Sequence, residues 1–365
     1  MFDLLTSTPN VAALLISLLA CVLTVLTKEW HGRYTLDSFE GIQRAHTQAT
    51  PRVGGASVLL GIACAASLTD QATRELIYPT LLASSPAFIF GLAEDITKRV
   101  GALQRLLATM LSGVLGWYIT GVSLTSVGVP VLDQLLAWGA ISVIFTAFAV
   151  GGVANAVNLI DGYNGMASGF VVLTLLAVAC VAADVGDVAL AQMTLLVAAG
   201  FLGLLVVNWP FGKLFLGDSG AYLGGFVVAW LCVLLTNRNE SVSPFAALLL
   251  CVHPVTETIY SLWRRLRSGT NPGQPDTMHL HHMICSRLMP LVNGRMEIAN
   301  PLTGLVIACL SIPSALLASG NYSNSVTCAS LSLMFAVFYL TVYKAFGVRL
   351  HSDSIKKPTL KKFSS

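Results

Sequence analysis

Asn155–Gly169 reads NAVNLIDGYNGMASG and lies between two strongly apolar runs, Leu132–Val153 and Phe170–Ala183. Polarity this dense at the edge of a hydrophobic span marks a site by default. Asn155, Asn158 and Asp161 are spaced by three, which on a helix sets them along one slowly drifting flank. Gly162 and Gly165 then let the chain leave the helix and approach a ligand closely. Asn side chains donate and accept, and Asp can take a metal or a donor-rich ligand. A helix cap followed by a loop would account for one Asn and one Gly, but not for three polar residues in step.

The sequence around this stretch sets the class. Of 365 residues, 55% are hydrophobic and only 11% charged, about half the charge of a soluble domain. Apolar runs recur along nearly the whole chain, without the alternation of barrel strands. The expected fold is therefore all-α, a polytopic helical bundle in a membrane. Runs near bilayer-crossing length cover 9–27, 54–68, 77–93, 103–120, 132–153, 166–183, 189–207, 219–235, 243–263, 301–318 and 326–343, eleven spans in all. The first is too long for a signal peptide and lacks a cleavage site, so it is expected to be retained. The eight Cys form no CxxC pair and fall mostly inside apolar runs, as small core residues do.

Eleven spans put the two termini on opposite sides. Every Lys and Arg except Arg74 and Arg238 then falls on one side. The positive-inside rule makes that side cytoplasmic, with the N-terminus outside. The expected organisation is one transmembrane catalytic domain, 1–343, with active-site loops at 28–53, 94–102, 154–165, 208–218 and 264–300. A basic cytoplasmic tail, 344–365, faces lipid headgroups. No internal repeat is visible, so an inverted-repeat transporter gains no support.

Four further polar clusters share the basic side. Thr47–Gly55 is TQATPRVGG, Gly91–Arg99 is GLAEDITKR, Asn208–Gly220 is NWPFGKLFLGDSG, and Arg264–His282 is RRLRSGTNPGQPDTMHLHH. The doublet Glu94–Asp95 can bind a divalent ion or position a proton, although alone it reads as an ordinary interfacial acidic pair. Asp218, between Gly217 and Gly220, suits Mg²⁺, which keeps water or substrate phosphate as its other ligands. The competing reading is an N-cap for the helix that follows. Asn208 and Phe215 offer an amide to read a base edge and a ring to stack on, against a merely lipid-facing Phe. His279, His281 and His282 lack a Cys or a spaced fourth ligand for zinc. With Arg264 and Arg265 upstream they read better as a phosphate-binding set.

Together these motifs resemble the polyprenyl-phosphate N-acetylhexosamine-1-phosphate transferase family, closest to its bacterial undecaprenyl-phosphate GlcNAc-1-phosphate branch. The likeness runs from about His46 to His282 through TPRVGG, NxxNxxDGxxG, FLGDSG and RRLR…PDxxHLHH. It implies transfer of HexNAc-1-phosphate from a UDP-N-acetylhexosamine to undecaprenyl phosphate at the cytoplasmic face of a bacterial inner membrane. UMP is released, and the product starts O-antigen or a related lipid-linked glycan of the lipopolysaccharide type. The resemblance implies Mg²⁺, or Mn²⁺, at Asp218, and allows a homodimer; no nucleic-acid partner is expected. It places Glu94, Asp95, Asp161, Asp218, His279, His281 and His282 in catalysis, with Asp95 the base or positioning group for the lipid phosphate. It places His46, Thr50, Arg52, Asn155, Asn158, Asn164, Asn208, Phe215, Arg264 and Arg265 in substrate binding. Phosphoryl transfer of this kind needs mostly positioning and charge neutralisation.

The chain departs from the family pattern at Glu94, where Asp is usual, and at Asn164, Glu257 and Thr277. A transporter or flippase using intramembrane carboxylates is one alternative, with Glu257 its only mid-span candidate. An inactive paralogue is another, motivated by those departures.

Overall fold

The computed structural model describes residues 2–36, 49–270 and 276–356. Within them the chain is helical, and its only β-type pairing is an isolated bridge between Leu36 and Pro51. The first helices are α1 (Phe2–Leu5), α2 (Thr8–Leu26), α3 (Lys28–Thr35), α4 (Gly54–Ala66), α5 (Gln71–Ala83), α6 (Ser85–Thr97) and α7 (Ala102–Thr120). The middle of the chain forms α8 (Pro130–Leu136), α9 (Gly139–Leu159), α10 (Met166–Asp184), α11 (Val188–Asn208) and α12 (Gly217–Arg238). It closes with α13 (Pro244–Arg267), α14 (Leu280–Leu291), α15 (Met296–Cys309), α16 (Ser311–Asn321) and α17 (Ser325–Lys356).

The all-α membrane class stands, and among the described residues fewer helices than the eleven expected spans qualify by length and apolarity. Eight helical segments are long and apolar enough to cross a bilayer, or nine if α5 and α6 form one bent span. Two expected spans account for the difference. At 54–68 the helix stops after 13 residues, short of the roughly 20 needed. At 103–120 the 19-residue α7 forms but is not among the helices apolar enough to qualify; Arg105 lies in its first turn. The 46° bend between α5 and α6 has a local cause. Pro86 has no N–H for the Leu82 carbonyl, and the Ser85 hydroxyl takes that acceptor at 2.7 Å. Ser84 does the same for Leu81 at 2.7 Å.

Helix α12 is the hub: Gly217–Leu235 is buried without interruption, so it reads as hydrophobic all round. It packs on α9, α6, α10 and α4. Close approach depends on small residues, as expected where lipid gives helices no hydrophobic drive to associate. A Cβ on Gly225 would lie 2.6 Å from the Ala154 Cα on α9. Around the first turn of α12 the fit is tighter. A Cβ on Gly91 of α6 would come within 2.7 Å of the Ser219 backbone, and one on Gly55 of α4 within 2.3 Å of the Gly220 nitrogen. The start of α4 is also tied to this turn by backbone bonds, Gly54 N–H to Phe215 O and Gly55 N–H to Leu216 O, both 3.0 Å. The amino end of α12 is thus wedged between α4 and α6. The opposite end of the bundle is closed by structural pairs, Arg238 on Asp187 at 2.7 Å and Tyr322 OH on Asp184 at 2.6 Å.

This wedge generates a stability prediction. Gly55→Ala forces backbone apart from backbone and is expected to lower stability by about 1–3 kcal/mol or more. Gly152→Ala meets nothing within 4 Å and is expected to be neutral or mildly stabilising in its helix. Thermal melting of the two variants in detergent makes the comparison; equal melting points would contradict the wedge.

Candidate active site

The wedge decides where the charged side chains meet. Gly217 has φ +73°, a region that favours Gly, and a Cβ there would lie 2.0 Å from Arg52 O and 2.7 Å from Asp95 Oδ2. The tight turn delivers the first N–H groups of α12 onto one carboxylate. Asp95 Oδ1 accepts from Asp218 N–H at 2.8 Å, and Oδ2 accepts from Ser219 N–H at 2.9 Å and Ser219 Oγ–H at 2.6 Å. Asp95 is fully buried, and Arg52 Nε lies 3.3 Å from its Oδ1. A helix amino end carries partial positive charge and unpaired donors, so this carboxylate anchors α12. Both its oxygens are occupied, which makes Asp95 a positioning group rather than a base presented to substrate.

The N-cap reading of Asp218 fails on the same geometry. Asp218 lies inside the first turn, and the carboxylate that receives the helix N–H groups is Asp95. Asp218 faces outward onto two guanidinium groups: Arg52 Nη2 donates to Oδ1 at 3.0 Å, and Arg105 Nη1 donates to Oδ2. Asn158 Nδ2 reaches Oδ1 at 3.3 Å, and the Asn158 Oδ1 accepts from Tyr222 OH at 3.1 Å. Tyr222 stands one helical turn after Asp218, and Arg105 lies over its ring at 6.0 Å. Asn155 is spent elsewhere, donating to Thr109 Oγ1 and Gly151 O, both 2.8 Å. That bond pins α7 to α9 one turn from Arg105. Asp161 does not continue the helical flank, because α9 ends at Leu159 and Asp161 sits in the turn beyond it.

Asp161 differs from its neighbours electrostatically. Among the described residues no donor reaches its carboxylate. Burial first, then the charge of Asp218, pushes its pKa up to about 7, with Arg52 opposing. A carboxylate held this way gains from a cation. No three His, Cys, Asp or Glu among the described residues form a ready metal cage. That donor set still fits Mg²⁺, which commonly takes one or two carboxylates and fills its shell with water and substrate phosphate. Asp218 and Asp161 are the residues that would hold it, beside Arg105 and Arg52. Glu94, the other half of the doublet, accepts from Val100 N–H at 2.8 Å and shapes the turn after α6.

A second cluster forms where α13 meets the His motif. His279 caps α14 rather than lying within it, so it does not share a helical face with His282. Its Nδ1 is 2.8 Å from Glu257 Oε1, and its Nε2 is 3.6 Å from Asp276 Oδ2. Asp276 also receives Arg264 Nη2, and Arg265 is buried beside this turn. His281 stacks on His279 at 5.2 Å, and His282 Nδ1 is hydrogen-bonded to Tyr163 OH at 3.0 Å. A Cβ on Gly162 would lie 3.2 Å from His281 Nε2. The His motif therefore packs close to the Gly162 turn that carries Asp161.

A cleft of about 650 Å³ opens beside them, lined by Thr50, Phe215, Asn164, Phe211, Lys213 and Asn300 among others. Phe215 is half-buried on this wall. Asn208 does not present its amide there. Its Oδ1 accepts from Gly165 N–H at 2.5 Å and its Nδ2 donates to Leu214 O at 2.8 Å. Asn164 is likewise engaged, donating to Pro210 O at 3.1 Å, while its N–H donates to Asn300 Oδ1 at 2.8 Å. Both amides set the cleft wall rather than read a base edge. His46 lies outside the described residues. Ser219, Tyr222 and Tyr163 join the site without a sequence signal that assigns them a role, and Arg105 stands in the sequence only as a basic-side charge. The one signal for Arg105 was a charge inside an apolar run.

Comparison with known proteins follows the same residues. The sequence profile described as glycosyl transferase family 4 matches residues 77–236, which include Glu94, Asp95, Arg105, Asn158, Asp161 and Asp218. The chain is 28% identical over 308 residues to the decaprenyl-phosphate N-acetylglucosaminephosphotransferase of Mycolicibacterium smegmatis, covering 74% of each chain. It is 28% identical over 247 residues to the undecaprenyl-phosphate alpha-N-acetylglucosaminyl 1-phosphate transferase of Yersinia pestis, covering 66% of this chain and 67% of that one. A probable undecaprenyl-phosphate N-acetylglucosaminyl 1-phosphate transferase of Bacillus subtilis is 26% identical over 249 residues, with the same coverage.

The His cluster fixes a pH dependence. Burial, then neighbouring imidazoles, holds His281 well below the ordinary range and His282 down at about 4. Between about pH 4 and 6.5 these two imidazoles bind more protons unfolded than folded, so their contribution to stability falls as pH drops through that window, while the raised Asp161 contributes the opposite slope. His282→Gln is expected to flatten the dependence, read as melting temperature from pH 7.5 to 5. An unchanged slope would show that other groups set it.

Proposed function

We propose, from the match of residues 77–236 to the profile described as glycosyl transferase family 4, that this multi-pass membrane protein transfers N-acetylhexosamine-1-phosphate from a UDP-sugar to undecaprenyl phosphate. The observation that carries the reading is Asp218, set by the Asp95 anchor between Arg52, Arg105 and Asn158 and next to Asp161. An oxygen of the lipid phosphate attacks the β-phosphorus of the donor. The bond from that phosphorus to the bridging oxygen breaks, and UMP leaves with the electron pair. The attacking oxygen is already ionised, so no base need strip a proton, in keeping with an Asp95 whose oxygens are both occupied. Arg52 and Arg105 offer planar donors that match phosphate oxygens. Mg²⁺ at Asp218 and Asp161 would neutralise the diphosphate and the leaving UMP. The Phe215 wall of the cleft suits the uracil ring, and His279 with Arg264 and Arg265 suits the sugar-phosphate end. The relatives' names favour GlcNAc as the sugar. The Lys and Arg asymmetry of the eleven-span reading supports a cytoplasmic active-site face, and the bacterial relatives support an inner membrane.

The test is UMP release by purified protein given UDP-GlcNAc, undecaprenyl phosphate and Mg²⁺. Asp218→Asn is expected to lower turnover by about a hundredfold or more while the melting temperature changes little. Normal turnover at saturating Mg²⁺ would remove Asp218 from the chemistry, and no UMP from the native chain would end the transferase reading.

Orientation is tested separately. Single Cys probes at Glu240 and Thr270, both exposed, are expected to label from outside and inside the cell respectively. The reverse pattern would put the mouth on the wrong face for a cytoplasmic sugar nucleotide.

A further inference from the structure

Helix α17 lies beyond the matched family region, and its exposed apolar side chains, Leu333, Met334, Val337 and Phe338 among them, face away from the bundle. By composition it is a membrane span and nothing more. Its inner face is different. Tyr339 is 1% exposed, and its hydroxyl donates to Glu257 Oε2. Glu257 Oε1 holds His279 Nδ1 at 2.8 Å. One turn further along α17, Tyr343 OH donates to Met278 O at 2.6 Å. Its ring meets Tyr260 of α13 edge-on at 4.6 Å. Two hydroxyls at i and i+4 on one helix face therefore hold Met278–His279 from both ends, one through the backbone and one through Glu257.

Glu257 is a carboxylate with two oxygens and two donors, and it is 2% exposed. Removing either donor leaves a buried charge short of a partner, which costs far more than the bond itself contributes. His279 in turn stacks on His281, which abuts the Asp161–Gly162 turn. The contacts run from a lipid-facing helix through the His motif to Tyr163, in the turn that carries Asp161.

We propose that Tyr339 is a positioning residue of the active site: through Glu257 it sets the orientation of His279, with Tyr343 fixing the neighbouring backbone. Helix α17 is thereby part of the catalytic apparatus and not only an anchor. The inference rests on the transferase reading for its kinetic consequence but not for its structural one.

Two measurements separate those parts. Tyr339→Phe keeps the ring and removes only the donor. It is expected to lower kcat about tenfold, with donor KM within about twofold and melting lowered only modestly, because His279 still holds the other Glu257 oxygen. Glu257→Gln offers one oxygen to two donors and should lose a similar factor. The double variant should lose no more than the worse single, because both act through one contact chain. Losses that multiply, or a Tyr339→Phe variant with native kcat, overturn the proposal. The structural readout needs no turnover: carbethoxylation of His279 by diethyl pyrocarbonate, followed by peptide mass spectrometry. His279 is expected to react several-fold faster in Tyr339→Phe, and an equal rate refutes the clamp. If the native chain releases no UMP, the transferase reading fails while the labelling result still judges the clamp. If Tyr339→Phe melts far below the native chain, its role is packing and the proposal fails.

Discussion

The structure depends on one buried carboxylate accepting hydrogen bonds from the start of one helix. Asp95 binds the Asp218 and Ser219 N–H groups and the Ser219 hydroxyl. In doing so it satisfies the donors that every helix leaves open at its amino end. At a membrane mouth those donors would otherwise be buried without a partner. The charge is compensated by Arg52 and by the helix dipole. Because α12 is the most buried helix of the bundle, fixing its first turn fixes what packs on it. Gly55, Gly91 and Gly217 are the places where a side chain would prevent that contact.

From this anchor the site is built by layers that each have another job. Arg52 serves Asp95 with one nitrogen and Asp218 with another. Asn158 joins Asp218 to Tyr222, and Asn155 joins α9 to α7 so that Arg105 arrives at Asp218. The His motif is tied to the Asp161 turn through Tyr163 OH and His282, with His281 packed close to Gly162. Positive groups thus converge on carboxylates without neutralising all of them, since Asp161 receives no donor among the described residues. That imbalance suits a site that takes up a divalent ion together with a polyphosphate.

The departures from the family pattern now have physical readings. Glu94 is not one of a matched pair with Asp95, because it bonds the Val100 N–H while Asp95 anchors α12. An extra methylene is easily absorbed in a turn. Glu257 reaches both His279 and Tyr339, a span that the longer side chain helps to bridge. Asn164 sits among backbone carbonyls and amides, where a neutral side chain that both donates and accepts fits. Thr277 lies in the turn held by Asp276, and nothing in the structure explains that departure. As a transporter's mid-span carboxylate, Glu257 would need to face a water-filled path, yet both its oxygens are bonded within the protein.

The sequence by itself determined the class, because apolar periodicity and the scarcity of charge reflect the solvent each segment meets, and that is a local property. It also marked the segments of the mouth, since polar clusters at the ends of apolar runs need partners or ligands wherever the fold places them. Roles within the mouth were decided only by the tertiary structure. Asp95 and Asp218 are both acids beside small residues, and nothing local says which one caps a helix 123 positions away. Asn208 and Asn158 are both amides beside apolar runs, yet one is consumed by backbone and the other reaches Asp218. Arg105 and Tyr339 looked like a stray charge and a span aromatic, because their partners are distant in the chain. A side chain's chemistry is written in the sequence, but which of its donors and acceptors remain available is set by neighbours that only folding supplies.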